Sequence, residues 1–175
     1  MRGATDLLVQ YATTHRDRRN IASHFVCVPM MVFALGVLLA KPAFVLVGWT
    51  LSPAWIAFAA AAVWYLTRGN LALGLAVNAA IGVLVALAQR VGDSGTGAWL
   101  AWGVGFLVAG GLVQFIGHWY EGRKPALGGD PLGFLVGPMF VVAEALFSFG
   151  WGKALLAEIE RRAGPTVLRD LARIA

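Results

Sequence analysis

Residues 21–40 read IASHFVCVPMMVFALGVLLA, a run of twenty positions without Asp, Glu, Lys or Arg. A helix rises about 1.5 Å per residue, so the run extends about 30 Å, the thickness of a bilayer's hydrocarbon core. It reads as a membrane span, with Asn20 placed to cap its N-terminus and Pro29 placed to kink it. His24 is its one ionisable imidazole, near the start.

The same signature recurs downstream. Residues 43–66 form a second apolar segment broken at Ser52-Pro53, with Trp49, Trp55, Trp64 and Tyr65 as interfacial anchors. A third runs over 71–87 to Gln89-Arg90, the stretch 92–97 is a glycine-rich connector, and a fourth covers 99–120. After the charged island Glu121-Gly122-Arg123-Lys124-Pro125, a fifth occupies 132–151, broken at Gly137-Pro138 and carrying Glu144. Gly103, Gly105, Gly110, Gly111 and Gly117 in the fourth permit close helix approach.

Both ends are amphipathic. Residues 4–16 place Leu7, Leu8, Tyr11 and His15 at helical spacing, and the tail 153–175 does so with Leu155, Ile159, Leu168, Leu171 and Ile174, with a break at Gly164-Pro165. The expected fold is all-α: a polytopic membrane bundle of four to five apolar segments with interfacial helices at both ends. We read one membrane domain over 1–175, with an interfacial helix and basic turn at 1–19, the bundle at 20–151 and the tail at 152–175.

Composition agrees. Of 175 residues 59% are hydrophobic and 13% charged, against about a quarter charged in soluble domains. The net charge of +5 lies beside apolar segments without an aromatic-basic strand pattern, so it points to anionic lipid headgroups and not to nucleic acid. Cys27 is the single cysteine and is read as packing. The charged first twenty residues lack an early apolar core, so no cleaved leader is expected. No P-loop, GxGxxG, GxSxG or CxxC pattern occurs.

Arg2, Arg16, Arg18 and Arg19 place the first segment in the cytoplasm by the positive-inside rule. Counting spans from there, the chain returns at Arg68, exits at Arg90 and returns at His118, so His15, His24 and His118, all the histidines of the chain, meet one leaflet. Five full spans would put the basic tail outside. A re-entrant fifth segment turning at Gly137-Pro138 removes that conflict.

His15 and His24 are nine residues apart and would lie on opposite faces of one continuous helix, so convergence requires the bend at 17–19. Three neutral imidazoles with a carboxylate or water suit zinc or iron, in a mononuclear site. Three are too few for the histidine-rich membrane di-iron hydroxylases. Glu121, one turn beyond His118, is a candidate fourth ligand, and Glu144, an ionisable group in an apolar segment, is a candidate ligand, ligand partner or helix–helix hydrogen bond. Asp130 reads as a cap for a helix starting at Pro131 or Leu132, and Arg123 and Lys124 as partners for a substrate carboxylate or as topology determinants. The competing readings are another metal-dependent lipid enzyme, such as a zinc hydrolase, and a transporter or scaffold whose histidines and Glu144 form a proton or packing network.

The order Tyr11, His15, Asn20, His24, Pro29 (YxxxHxxxxNxxxHxxxxP), followed by Gln114-Phe115-Ile116-Gly117-His118 and Pro125-Ala126-Leu127, resembles the membrane family typified by the yeast endoplasmic-reticulum 2-hydroxy fatty acid dioxygenase. The resemblance covers about residues 5–150 and includes Pro138 to Phe147 with Glu144. It implies an enzyme with mononuclear Fe(II) that acts with O2 on 2-hydroxy fatty acids and shortens them by one carbon in fatty acid α-oxidation. It implies His15, His24 and His118 as the motif histidines; we place Glu144 beside them as a catalytic candidate and Tyr11, Asn20, Arg123 and Lys124 as candidates toward substrate. The stretch Trp119 to Lys124 departs from the usual pattern of Glu followed directly by a basic pair, which leaves the role of Glu121 open. The richness in Ala, Gly and Arg points to a bacterial inner membrane, with the metal on the cytoplasmic side.

Overall fold

The computed structural model describes residues 2–41, 43–46, 48–123 and 132–171. Lys124, the Pro125-Ala126-Leu127 motif, Asp130, Pro131 and Ile174 lie outside the described residues. The described chain runs α1 (Ala4–Ala12), α2 (Arg18–Ala40), β1 (Phe44–Leu46), β2 (Trp49–Leu51), α3 (Pro53–Leu66), α4 (Leu71–Gly92), α5 (Thr96–Glu121), α6 (Gly133–Ser148) and α7 (Lys153–Ala163).

Helix α2 starts earlier than the sequence suggests. The Asp17 carboxylate accepts the Arg19 backbone N–H at 2.8 Å and so caps the helix. Asn20 is therefore inside α2, one turn before His24, and is not the cap. The helix continues through Pro29 to Ala40.

The second apolar segment is not a span of ordinary length. β1 and β2 form an antiparallel hairpin, and only α3, 14 residues long, is helical. Such a helix extends about 21 Å, short of the hydrocarbon thickness. The break at Ser52-Pro53 falls where expected, because proline at the first helical position forfeits no intrahelical bond. α2, α4 and α5 are each long and apolar enough to cross a membrane, and α6 with α7 would make a fourth if that pair, bent by 119°, were one span.

Glycines set the helix spacing. A Cβ at Gly103 would meet the Leu38 side chain, at Gly110 it would stand 2.8 Å from Met31 Cγ, and at Gly117 it would meet Ser23 Oγ. These glycines, seven residues apart, let α5 lie against α2 over its length, antiparallel. Gly105 and Gly111 face open space instead. On its other side α2 runs parallel to α4, with Gly36 against Ala88 and Gly92 against Ala40. The start of α2 and the end of α5 thus meet at one end of the bundle. The Arg68 carbonyl, which accepts the Ala4 N–H at 2.8 Å, brings the α3–α4 turn to α1.

After α6 and α7 the chain reaches that end again. Arg16 donates its backbone N–H to Glu121 at the end of α5 and its Nη1 to the Gly164 carbonyl after α7, both at 3.0 Å. α6 is unbroken through Pro138, and a reversal at Gly137-Pro138 is overturned. Pro138 is only a turn and a half into the helix, where its missing N–H removes one bond near the start. Gly137 comes near Val28, while Glu144 pairs with Arg16 at 3.7 Å, so α6 runs antiparallel to α2 and ends beside the N-terminal segment.

At both ends the packing differs from simple amphipathic helices. Leu7, Leu8, Val9 and Ala12 of α1 are buried within the protein, against α6 and α7. α7 ends at Gly164, whose φ of +88° favours glycine. The chain beyond is extended rather than helical: Val167 pairs in parallel with Asp17, donating to the Arg16 carbonyl and accepting from Arg18 N–H, each at 2.9 Å.

Candidate metal centre

The three histidines converge. Their rings lie 4.6 Å (His15–His24), 4.9 Å (His15–His118) and 5.4 Å (His24–His118) apart by centroid, and one ring nitrogen of each lies within 4.8 Å of the others. All three are buried. The turn after α1 swings His15 across to α2, and Gly117 brings α5 close enough for His118 to meet His24.

His15 and His24 are held by the same device. His15 Nδ1 lies 2.8 Å from the Tyr11 carbonyl and His24 Nδ1 lies 2.9 Å from that of Asn20, in each case four residues back. A nitrogen facing a carbonyl carries the proton, so the lone pair sits on Nε2. Among the described residues those two Nε2 atoms, and Nδ1 of His118, are buried without a hydrogen-bond partner. Burial, with the neighbouring His24 ring next in weight, pushes the His15 imidazole down to about 2, so it is neutral at physiological pH. Three buried imidazoles gathered this closely, each with a ring nitrogen that has no hydrogen-bond partner among the described residues, fit a metal ion better than they fit packing.

Tyr11 lies flat on His15, ring centroids 3.9 Å apart and planes 8° from parallel, and Phe140 of α6 lies 5.1 Å from Tyr11. The imidazole is thereby held on its hydrogen-bonded rotamer. Burial pushes the Tyr11 phenol up, so it remains a proton donor.

The carboxylates are engaged elsewhere. Glu121 Oε1 accepts from Arg16 N–H at 3.0 Å, and its Oε2 accepts from Asp17 N–H at 3.0 Å and Asn20 Nδ2 at 2.9 Å. It ties the end of α5 to the turn carrying His15, and Asn20 braces it while orienting His24 through its carbonyl. Glu144 faces the buried Arg16 guanidinium, whose Nε donates to the His15 carbonyl at 3.1 Å. Neither acid belongs to the cluster of ligand atoms. Arg123 is exposed and donates to the Thr13 carbonyl at 3.2 Å.

A groove of about 100 Å³ opens beside the cluster. Tyr11, His15 and His118 form its polar mouth, and Val28, Met31, Val32 and Leu35 of α2 with Phe134 and Pro138 of α6 form its walls. From Val28 to Leu35 it follows α2 for about 10 Å. One polar side chain interrupts the apolar walls: Gln114, one turn before His118. In sequence Gln114 stands out only as part of the motif ending at His118, although an amide four residues from a proposed ligand, inside an apolar span, is a readable signal. The strap at Val167 and the pairing of Arg16 with Glu144 carry no such signal.

The family model for 2-hydroxy-palmitic acid dioxygenase Mpo1-like proteins matches residues 1–149, most of the chain. No curated protein and no solved structure matches it.

Proposed function

We propose, for a chain that belongs to the Mpo1-like family of 2-hydroxy-palmitic acid dioxygenases, that His15, His24 and His118 hold one ferrous ion in an enzyme that uses dioxygen to shorten 2-hydroxy fatty acids by one carbon. The observation that carries this reading is the trio of buried, unpartnered imidazole nitrogens at the mouth of an apolar groove.

Ferrous iron, when bound, supplies the one-electron chemistry through which dioxygen reacts with a closed-shell substrate. The remaining work falls to the chain. Three neutral imidazoles add no negative charge to the site, which suits a substrate that arrives as a carboxylate. Tyr11 fixes His15 and closes one side of the mouth, while Glu121 and Asn20 keep the two ends of the ligand set in register. The acyl chain lies along Val28 to Leu35, where apolar walls exclude water from the reacting end.

The reaction balances without a second reductant. R–CH(OH)–COOH and O2 give R–COOH, CO2 and H2O: the bond between the first and second carbons breaks, and the four electrons the hydroxy acid loses are those dioxygen takes up. The basic groups of both termini, Arg2, Arg16, Arg18, Arg19 and Arg169, gather at the histidine end, and we assign that end to the cytoplasmic face of a bacterial inner membrane.

Protein purified in detergent and loaded anaerobically with ferrous iron is expected to consume dioxygen with 2-hydroxypalmitate and release pentadecanoate. Iron-loaded protein that releases none overturns the reading, as does activity that persists anaerobically with zinc.

A further inference from the structure

Gln114 lines the groove four residues before His118 on α5, which places it on the same helix face and about 6 Å along the axis. Its Oε1 is buried and accepts no hydrogen bond from the described residues. Around it the groove is walled by Val28, Met31, Val32 and Phe134. A buried acceptor without a donor is unfavourable in such surroundings, and more so within an apolar bundle. What it lacks is a proton donor supplied by the occupant of the groove.

An ionised 2-hydroxy fatty acid carries one donor, its 2-hydroxyl. The carboxylate only accepts, and the chain offers nothing. An unsubstituted fatty acid or a 2-oxo acid has no donor at all when ionised. We propose that Gln114 is the specificity-determining contact for the 2-hydroxyl, accepting a hydrogen bond from it on Oε1 and thereby separating 2-hydroxy acids from the far more abundant unsubstituted acids. This rests on the substrate reading above and adds to it the residue that makes the selection. A site built to hydrogen-bond a hydroxyl rejects the analogue lacking it strongly, because the buried acceptor is then left unpaired.

The test is anaerobic equilibrium binding of 2-hydroxypalmitate, palmitate and 2-oxopalmitate to the full chain, wild type and Gln114→Met, each loaded with ferrous iron. Methionine keeps the length and removes the amide. Wild type is expected to prefer 2-hydroxypalmitate over the other two by about tenfold or more, and Gln114→Met to lose that preference while its affinity for palmitate stays within about twofold. Equal weakening for all three ligands makes Gln114 a wall of the groove and overturns the inference, and so does an unchanged preference. Gln114→Asn, which withdraws the same amide by one methylene, is expected to give an intermediate preference and serves if the methionine variant does not fold; an unaltered preference there also counts against the inference. Because binding is read without turnover, a wild type that prefers the hydroxy acid yet yields no pentadecanoate refutes the reaction and leaves the Gln114 assignment standing.

Discussion

Glu121, at the last residue of α5, holds the backbone N–H of Arg16 at 3.0 Å across 105 positions of sequence. One carboxylate therefore fixes how the turn carrying His15 meets the helix carrying His118. In Glu121→Gln the amide must turn an NH2 toward at least one N–H that now finds an oxygen, and a hydrogen bond to a charged group contributes about 1.5–3 kcal/mol. The variant is expected to melt several degrees lower and to retain a small fraction of the iron. X-ray absorption of wild type should show nitrogen ligands from three histidines; a carboxylate oxygen from Glu121 in the metal's coordination shell would contradict the bracing role.

Replacing His24 with Ala removes one of the three proposed ligands from a site where it is wholly buried. Elemental analysis is expected to fall from one iron per chain to near zero, with the helical signal in circular dichroism retained. Retention of full iron would show that the cluster is not the metal site.

Gly117 and Gly111 make a matched pair on one helix. At Gly117 a Cβ would stand 2.8 Å from Asn20 Oδ1 and closer still to Ser23 Oγ, whereas at Gly111 nothing lies within 4 Å. Gly117→Ala is expected to push α5 from α2, costing about 1–3 kcal/mol as overpacking does, and to lower iron affinity by separating His118 from His24. Gly111→Ala should leave both unchanged. Equal effects of the two substitutions would refute the close-approach argument.

The strap is testable through Asp17 and Val167. Burial alone would raise the Asp17 carboxyl, but hydrogen bonds from the Arg19 side chain and from the Arg169 and Arg19 backbone N–H groups overcome it, bringing it from 3.8 to about 2. A carboxyl depressed on folding stabilises above its unfolded value, so the contribution is complete above about pH 4 and is lost as pH falls toward about 2. Hydrogen exchange at the Val167 and Arg169 amides is expected to lose protection across that window, after allowance for the intrinsic rate. Asp17→Asn should remove the pH dependence.

Val167→Pro deletes the N–H donated to the Arg16 carbonyl and touches nothing in the ligand set. Iron is expected to dissociate several-fold faster from this variant in a chelator challenge. Unchanged release would mean the strap does not support the centre.

The apolar runs made the long helices legible, because twenty residues without charge leave few alternatives in a bilayer. The convergence of the histidines was legible too, since span parity brings the start of α2 and the end of α5 to one leaflet. The start of α2 was misread because Asp17 and Asn20 are both good caps, and only the position of Arg19 N–H decides between them. β1 and β2 lie hidden in an apolar run because Phe44, Val45 and Leu46 are as apolar as a helix would be, and hydropathy alone does not separate a hairpin from a helix. The reversal was expected at Gly137-Pro138, yet α6 accommodates that pair near its start. The spacing of Glu121 from His118 suits a ligand; the partners it has among the described residues, the Arg16 and Asp17 backbone N–H groups and the Asn20 amide, have no signature in sequence.

Arg16 touches Glu121 in front and Gly164 behind, and Val167 closes on the same turn. During synthesis these contacts become possible in a set order. His15 and His24 leave the ribosome well before His118, and Val167 follows after both. A metal encountering the nascent chain before His118 has emerged finds two of the three imidazoles at most. The full histidine set is therefore available to a metal only once α5 has been made, and the strap that supports it only after α7.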